Sequence, residues 1–124
     1  MTPARWATVT LLSGRIAYGV GLAVAPERLA GGKWLGAAAS SEGAQVAIRG
    51  IGAREIALHG AAVVAALRGA PLHPWLAASI VGDVADIAST AIARGSLPRG
   101  SAPATALVAG ISAALSAAAL AATR

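Results

Sequence analysis

The stretch ATALVAGISAALSAAALAA, residues 104–122, decides the class of fold. No charged side chain lies between Arg99 and Arg124, so a helix formed by this stretch is uncharged on every face. A helix of about 20 residues rises about 30 Å, the thickness of the hydrocarbon core of a bilayer. An alanine-rich soluble four-helix bundle is the alternative, but each of its helices would need a polar outer face. The stretch therefore indicates a membrane-spanning helix.

Three more apolar stretches precede it, and each ends at a proline or at an Arg-Gly pair. Pro26 ends the first, and the pairs at 68–69 and 94–95 end the second and third. Such residues are typical of helix ends and turns. The one long connection, at residues 27–41, favours a loop at the membrane interface. The sequence therefore predicts an all-α integral membrane four-helix bundle in the single domain 1–124, with transmembrane helices at about residues 6–25, 44–67, 75–93 and 104–122.

The composition agrees with a multi-pass protein of the cell membrane. Of the 124 residues, 56% are hydrophobic and 12% are charged, whereas soluble domains carry roughly 25% charged residues. The absence of cysteine excludes thiolate catalysis, disulfides and cysteine-bound metals. The formal net charge of +5 comes from basic residues scattered over the connections and termini, which favours anchoring at anionic lipid and forms no patch for nucleic acid. We therefore expect the lipid bilayer as a partner, and no nucleic acid.

The second stretch carries three charges inside its predicted span, Arg49, Arg54 and Glu55. On insertion scales each costs about 2.5–3.5 kcal/mol at the centre of a membrane, whereas each large aliphatic residue returns only about 0.3–0.6 kcal/mol. The three charges also point in different directions around the helix, so they do not form the single polar face of a helix that lies on a membrane surface. This helix therefore needs charged partners on its neighbours.

Partners of opposite charge occur at the same depth in the other stretches. Asp83 and Asp86 lie on one stripe of the third helix, and Arg15 lies near the middle of the first. Because unpaired charges inside a membrane are very costly, the sequence predicts that three arginines pair with three carboxylates, all except Arg49 lying near one plane of the bundle. The group consists of Arg15, Arg49, Arg54, Glu55, Asp83 and Asp86.

Ionisable side chains within a membrane indicate a functional site. Arg49 and Gln45 share a face nearer the head groups, where an arginine suits an incoming phosphate or carboxylate. We therefore predict that the site binds a small polar or anionic group, such as a lipid head or another small amphipathic ligand. The predicted ligand-binding residues are Arg15, Gln45, Arg49, Arg54, Glu55, His59, Ser79, Asp83 and Asp86.

Three other roles remain open for the same residues. The ion pairs can serve only to fix the helices against one another. The protein can instead be a membrane-embedded enzyme that acts on a lipid or isoprenoid, with Asp83, Asp86 or Glu55 as the acid or base. It can also be a proton- or ion-coupled transporter, which with four helices would need an oligomer.

A metal centre and a bound cofactor are not expected. Glu55, His59, Asp83 and Asp86 are metal-ligand types, but the Glu-x-x-His pattern of carboxylate-bridged di-iron bundles is absent. His73 lies in a proline-rich turn away from His59, so haem ligation by these histidines is not expected either.

Small residues recur at every fourth position of the fourth predicted helix. This spacing lets helix backbones approach closely in lipid, and it predicts the interface of a homo-oligomer. The stripe comprises Ala106, Gly110, Ala114 and Ala118.

A resemblance to a known family rests on three motifs: Arg15-x-x-x-Gly19 in the stretch that ends near Pro26, the run Arg49-Gly50-x-Gly52-x-Arg54-Glu55, and Asp83-x-x-Asp86. In these motifs the chain resembles small four-helix integral membrane proteins of bacteria and fungi that are classed as a domain of unknown function, with an architecture similar to that of DoxX-like proteins. The resemblance covers most of the chain. It implies a four-helix membrane fold and agrees with the group of charges, but it implies no activity and no catalytic residue.

Overall fold

The computed structural model describes residues 1–124 and contains five α-helices and no β-strand. The helices are α1 (Pro3–Val24), α2 (Pro26–Ala30), α3 (Glu42–Leu67), α4 (His73–Ile92) and α5 (Ser101–Ala122). All except the short α2 are long and apolar enough to cross a membrane. The prediction of an all-helical protein with four apolar spans is therefore confirmed.

Each long helix begins two or three residues before its predicted start, because its first turn is polar or contains proline. Thr2 caps α1 by accepting a hydrogen bond from the backbone N–H of Arg5. Ser41 caps α3 in the same way by accepting one from the backbone N–H of Ala44. Such side-chain caps satisfy backbone donors that lack a partner at the start of a helix. The apolar pattern alone does not register these turns.

The connection between α1 and α3 is more helical than the predicted loop, although it kinks at Gly32 (φ −47°, ψ −108°). After α2 the chain forms a kinked π-helical turn at Gly31–Leu35 and a 3-10 turn at Gly36–Ser40. Gly36 links the two turns with a φ of 59°, a backbone conformation that glycine adopts without a steric penalty. The connection thus packs as a compact cap over one end of the bundle.

Helix α1 packs along α3, and α4 packs along α5, whereas α1 and α5 touch at few points. Two arginines join α1 to α3 at opposite ends, so these helices are antiparallel. Arg49 donates to the carbonyl oxygen of Ala23 at 2.9 Å, and Arg5 donates to the carbonyl oxygens of Ala66 and Ala70. Helix ends leave backbone carbonyls without partners, and these two side chains add donors to carbonyl oxygens at or just beyond such ends.

The apolar core is divided into two small clusters by a polar layer. One cluster contains Leu12 of α1 and Ala62 of α3, and the other contains Leu22 and Ile48 of the same two helices. Arg15 and Glu55 lie between these positions in the chain. The charged side chains are therefore held in the middle of the bundle, with apolar packing on both sides.

The outer surface of the bundle is largely apolar. Only 21 of the 124 residues are buried, and large apolar side chains on every long helix are exposed. Examples are Val20 on α1, Val46 on α3, Val81 on α4 and Ile111 on α5. Apolar surface of this extent is unusual on a soluble monomer.

Candidate functional site

Two glycines let α1 and α3 approach closely beside the charged layer. A Cβ atom added to Gly52 would lie 2.5 Å from the carbonyl oxygen of Gly19, and one added to Gly19 would lie 2.8 Å from Cβ of Glu55. Only residues without a side chain fit at such distances. Because Arg15 lies one turn before Gly19 and Glu55 lies close to Gly52, this contact brings the two charged side chains together.

The guanidinium of Arg15 binds side chains from all three of the other long helices. Its Nε and Nη2 atoms donate to the two carboxylate oxygens of Glu55 on α3 at 3.0 and 3.2 Å. Its Nη1 atom donates to Oδ2 of Asp83 on α4 at 2.9 Å and to Oγ of Ser112 on α5. An arginine paired with a carboxylate through two bonds has both its position and its orientation fixed. We call Arg15, Glu55, Asp83 and Ser112 the Arg15 cluster.

His59 supports the Arg15 cluster from behind and is completely buried. Its Nδ1 atom lies 2.8 Å from the backbone carbonyl oxygen of Glu55 and 3.3 Å from Oε2 of the same residue. Because these oxygens accept, Nδ1 carries the proton, and in the neutral ring Nε2 accepts from the hydroxyl of Ser79 at 3.0 Å. The imidazole thereby links α3 to α4 and holds the backbone that carries Glu55.

A cavity of about 650 Å³ adjoins the Arg15 cluster, where α1 and α5 stand apart. Asp86 of α4 lines this cavity together with the cluster. Its carboxylate is half-buried and accepts no hydrogen bond, whereas those of Glu55 and Asp83 are both bound to Arg15. The apolar part of the wall includes Leu11, Ile51, Val108, Ile111 and Leu115. The cavity is thus polar on one side and apolar along most of its length.

The helical cap contributes to the wall of the cavity. Leu29 of α2, together with Lys33 and Trp34 of the π-helical turn, lines the cavity, and this turn contacts α5. The indole N–H of Trp34 is buried and has no hydrogen-bond acceptor. Tyr18 of α1 also lines the cavity. Two of the four aromatic side chains of the protein therefore face the same space.

Four of the residues predicted from the sequence line the cavity, namely Arg15, Glu55, Asp83 and Asp86. The pair His59 and Ser79 lies behind the cluster and does not line it. The polar stripe of α4 and the arginine of α1 thus meet at one place.

The other three predicted ligand-binding residues lie away from the cavity. Arg49 is exposed and donates a hydrogen bond to the carbonyl oxygen of Ala23. Arg54 is also exposed and donates no hydrogen bond. Gln45 is half-buried, and its side chain has no hydrogen-bond partner. The expectation that all three arginines pair with carboxylates is therefore wrong for Arg49 and Arg54. The physical reason is that the carbonyl end of α1 binds the first, while the second lies on the outer face of α3.

Two contributors to the site do not emerge from the sequence analysis. Ser112 lies near the middle of α5, so the same matching of depths that indicates Arg15 and Asp83 would have found it. Trp34 offers no comparable signal, because the connection that carries it has no apolar period. Its place in the wall follows only from the folding of the cap.

Comparison of the chain with protein-family models, curated proteins and solved structures gives no match. The function is therefore inferred from the chemistry of the cavity. No three carboxylate or imidazole side chains are grouped so that they could hold a metal ion. The arrangement places the hydrogen-bonded Arg15 cluster beside a largely apolar cavity. Such a cavity suits a molecule that has a polar group and an apolar body.

Proposed function

We propose that the chain is a multi-pass protein of the cell membrane that binds a small amphipathic molecule, with the polar group of that molecule beside the Arg15 cluster. The cavity carries this proposal. Ligand sites in proteins are typically apolar spaces of about 300–1,000 Å³ with a few fixed polar groups, and the volume of about 650 Å³ lies within that range.

Insertion into a membrane is supported by what the bundle exposes and what it buries. The long helices turn large apolar side chains outward, and Asp83 is only 3% exposed. Apart from Arg54, which is exposed on α3, the charged groups in the middle of the bundle face its interior, as a lipid environment favours. The hydrocarbon layer then covers the outer apolar surface.

The geometry favours a polar group over the anionic group that the sequence also allowed. The guanidinium of Arg15 is already bound to Glu55, Asp83 and Ser112. Arg49, the predicted receptor for a phosphate or carboxylate, is bound to a backbone carbonyl and does not line the cavity. An anion beside the cluster would meet carboxylates before it met a free guanidinium.

A membrane-embedded enzyme acting on a lipid or isoprenoid is the second candidate, and one observation favours it. Asp86 lines the cavity and accepts no hydrogen bond, so its carboxyl group is free to exchange a proton with a bound molecule. The other two candidate acid or base residues, Asp83 and Glu55, are held by Arg15. In this candidate function Asp86 is the catalytic acid or base.

Self-association through the outer face of α5 is part of the proposal. Ala106, Ala114 and Ala118 are exposed, and a Cβ atom added to Gly110 would touch nothing. Small exposed side chains at this spacing let two helices pack closely in lipid. The face is free to bind a second copy of the chain.

Native mass spectrometry of the gently extracted protein tests binding in the cavity. The protein should retain a small amphipathic molecule, and Gly14→Leu should abolish this retention, because Gly14 lines the cavity and has open space at its Cβ position. Gly82→Leu is the matched control, since Gly82 has similar space on α4 but does not line the cavity. Equal retention by both variants would contradict the proposal.

A further inference from the structure

The charges around the cavity do not balance. Its wall carries three carboxylates and two basic side chains, and one of the basic side chains, Lys33, is exposed on the cap. Within the bundle Arg15 is therefore the one cationic side chain of the cavity wall, opposite the three carboxylates of Glu55, Asp83 and Asp86. The inner part of the cavity therefore has an excess of negative charge.

Asp86 holds the part of this charge that is not neutralised. It lies one turn from Asp83 on the same face of α4, yet only Asp83 accepts a hydrogen bond from Arg15. Arg54 on α3 acts on Asp86 electrostatically, but it is exposed, makes no hydrogen bond and does not line the cavity. An unpaired carboxylate in a largely apolar space either takes up a proton or pairs with a cation, and a ligand that brings a positive charge supplies the second solution.

We infer that the ligand is an amphipathic cation, a molecule with a protonated or quaternary ammonium group on an apolar body. The inference rests on the proposed function and names the chemical class that the same cavity accepts. The ammonium group lies beside Asp86. The apolar body lies along the wall formed by side chains such as Leu11 and Val108.

The aromatic side chains of the cavity agree with this class of ligand. Tyr18 and Trp34 both line the space that Asp86 lines. Aromatic faces attract ammonium groups, most strongly where the surroundings exclude water. The other two tryptophans, Trp6 and Trp75, do not line the cavity. The faces of the rings at the site therefore supply a second attraction for a cation.

Fluorescence of the tryptophan in the cavity provides a direct test. In Trp6→Phe/Trp75→Phe protein, Trp34 is the only tryptophan. This protein is placed in nanodiscs of phosphatidylcholine and titrated with dodecyltrimethylammonium, dodecyl sulfate and dodecanol, which share one chain length. We expect a saturable change with the ammonium compound at a concentration about tenfold or more below that needed for the other two, a preference of about 1.4 kcal/mol.

Variants at Asp86 separate charge from shape. Asp86→Asn should remove the preference for the ammonium compound, whereas Asp86→Glu should keep it. Glu42→Gln is the control, because it makes the same change of charge at an exposed site and should leave the preference unchanged. Circular dichroism checks that each variant is folded. If Asp86→Asn does not fold, the relative affinities of the three probes for the protein with Asp86 intact test the inference.

The possible outcomes distinguish the inference from the proposed function. Saturable binding of all three probes with equal affinity, or tighter binding of dodecyl sulfate, overturns the inference but supports an amphipathic ligand. Cation binding that is unchanged by Asp86→Asn also overturns it. The absence of saturable binding by any probe contradicts the proposed function as well.

Discussion

Asp83 accepts a hydrogen bond from Nη1 of Arg15 at 2.9 Å across the bundle, whereas Asp86, one turn further along α4, accepts none. The two aspartates therefore have different roles although their sequence context is similar. Asp83 belongs to the packing of the helices, while Asp86 faces the cavity. This difference makes the contribution of each residue to stability measurable by the same substitution.

Asp83→Asn should destabilise the protein, whereas Asp86→Asn should not. The first variant replaces the carboxylate that Arg15 binds by a neutral amide, and hydrogen bonds to charged groups contribute about 1.5–3 kcal/mol. The second removes a charge that has no partner, so its effect should stay within about 0.5 kcal/mol or be stabilising. Thermal unfolding in detergent, followed by circular dichroism, measures both. Equal loss of stability in the two variants would contradict the distinction between them.

Arg15→Gln should be the most destabilising change in the polar layer. It leaves Glu55 and Asp83 as unpaired carboxylates in the middle of the bundle, and breaking a buried pair from one side costs about 3–5 kcal/mol. Arg54→Gln provides the control, because Arg54 is exposed and makes no hydrogen bond, so its loss should cost no more than about 0.5 kcal/mol. The same unfolding measurement compares them, and a larger effect of Arg54→Gln would argue that this residue has a partner.

The four long apolar helices and the centre of the candidate site could be predicted from the sequence for physical reasons. Long apolar stretches have few structures available in lipid, so their number and approximate bounds follow from hydropathy. Arg15, Glu55 and Asp83 were found because opposite charges at equal depth inside a membrane must pair. These inferences use constraints that act on any chain of this composition.

The remaining features depend on tertiary contacts that charge and periodicity do not encode. Arg49 is bound to a backbone carbonyl, and counting charges assigns such a residue to a carboxylate instead. The helical cap has no apolar period, so neither its turns nor the place of Trp34 could be predicted. Only the folded chain shows that Asp86 is the carboxylate without a partner.

Alanine at two neighbouring glycines of α3 should have opposite effects on stability. Gly52→Ala introduces a Cβ atom 2.5 Å from the carbonyl oxygen of Gly19, and the helices must separate at a cost of about 1–3 kcal/mol. Gly50→Ala meets nothing within 4 Å and should stabilise the helix by roughly 0.5–1 kcal/mol. Thermal unfolding would reveal the two signs. A stabilising effect of Gly52→Ala would disprove the close approach of α1 and α3 at this point.

Leucine in the stripe of small residues on α5 should weaken the proposed self-association without unfolding the chain. Ala114 is exposed, and a Cβ atom at Gly110 meets nothing within the single chain, so Gly110→Leu/Ala114→Leu affects only a surface that meets another molecule. Large side chains there would keep two backbones apart, and an overpacking cost of about 1–3 kcal/mol lowers an association constant roughly 5- to 150-fold.

Resonance energy transfer between labelled copies, measured while the lipid-to-protein ratio is raised, reports this association. Ala57→Leu serves as the control, because Ala57 is exposed near the middle of α3 and lies outside the stripe. Transfer should persist in the control to higher lipid dilution than in the double variant, since only the double variant disturbs the contact. Identical dilution curves for the two would place any self-association on a different face of the bundle.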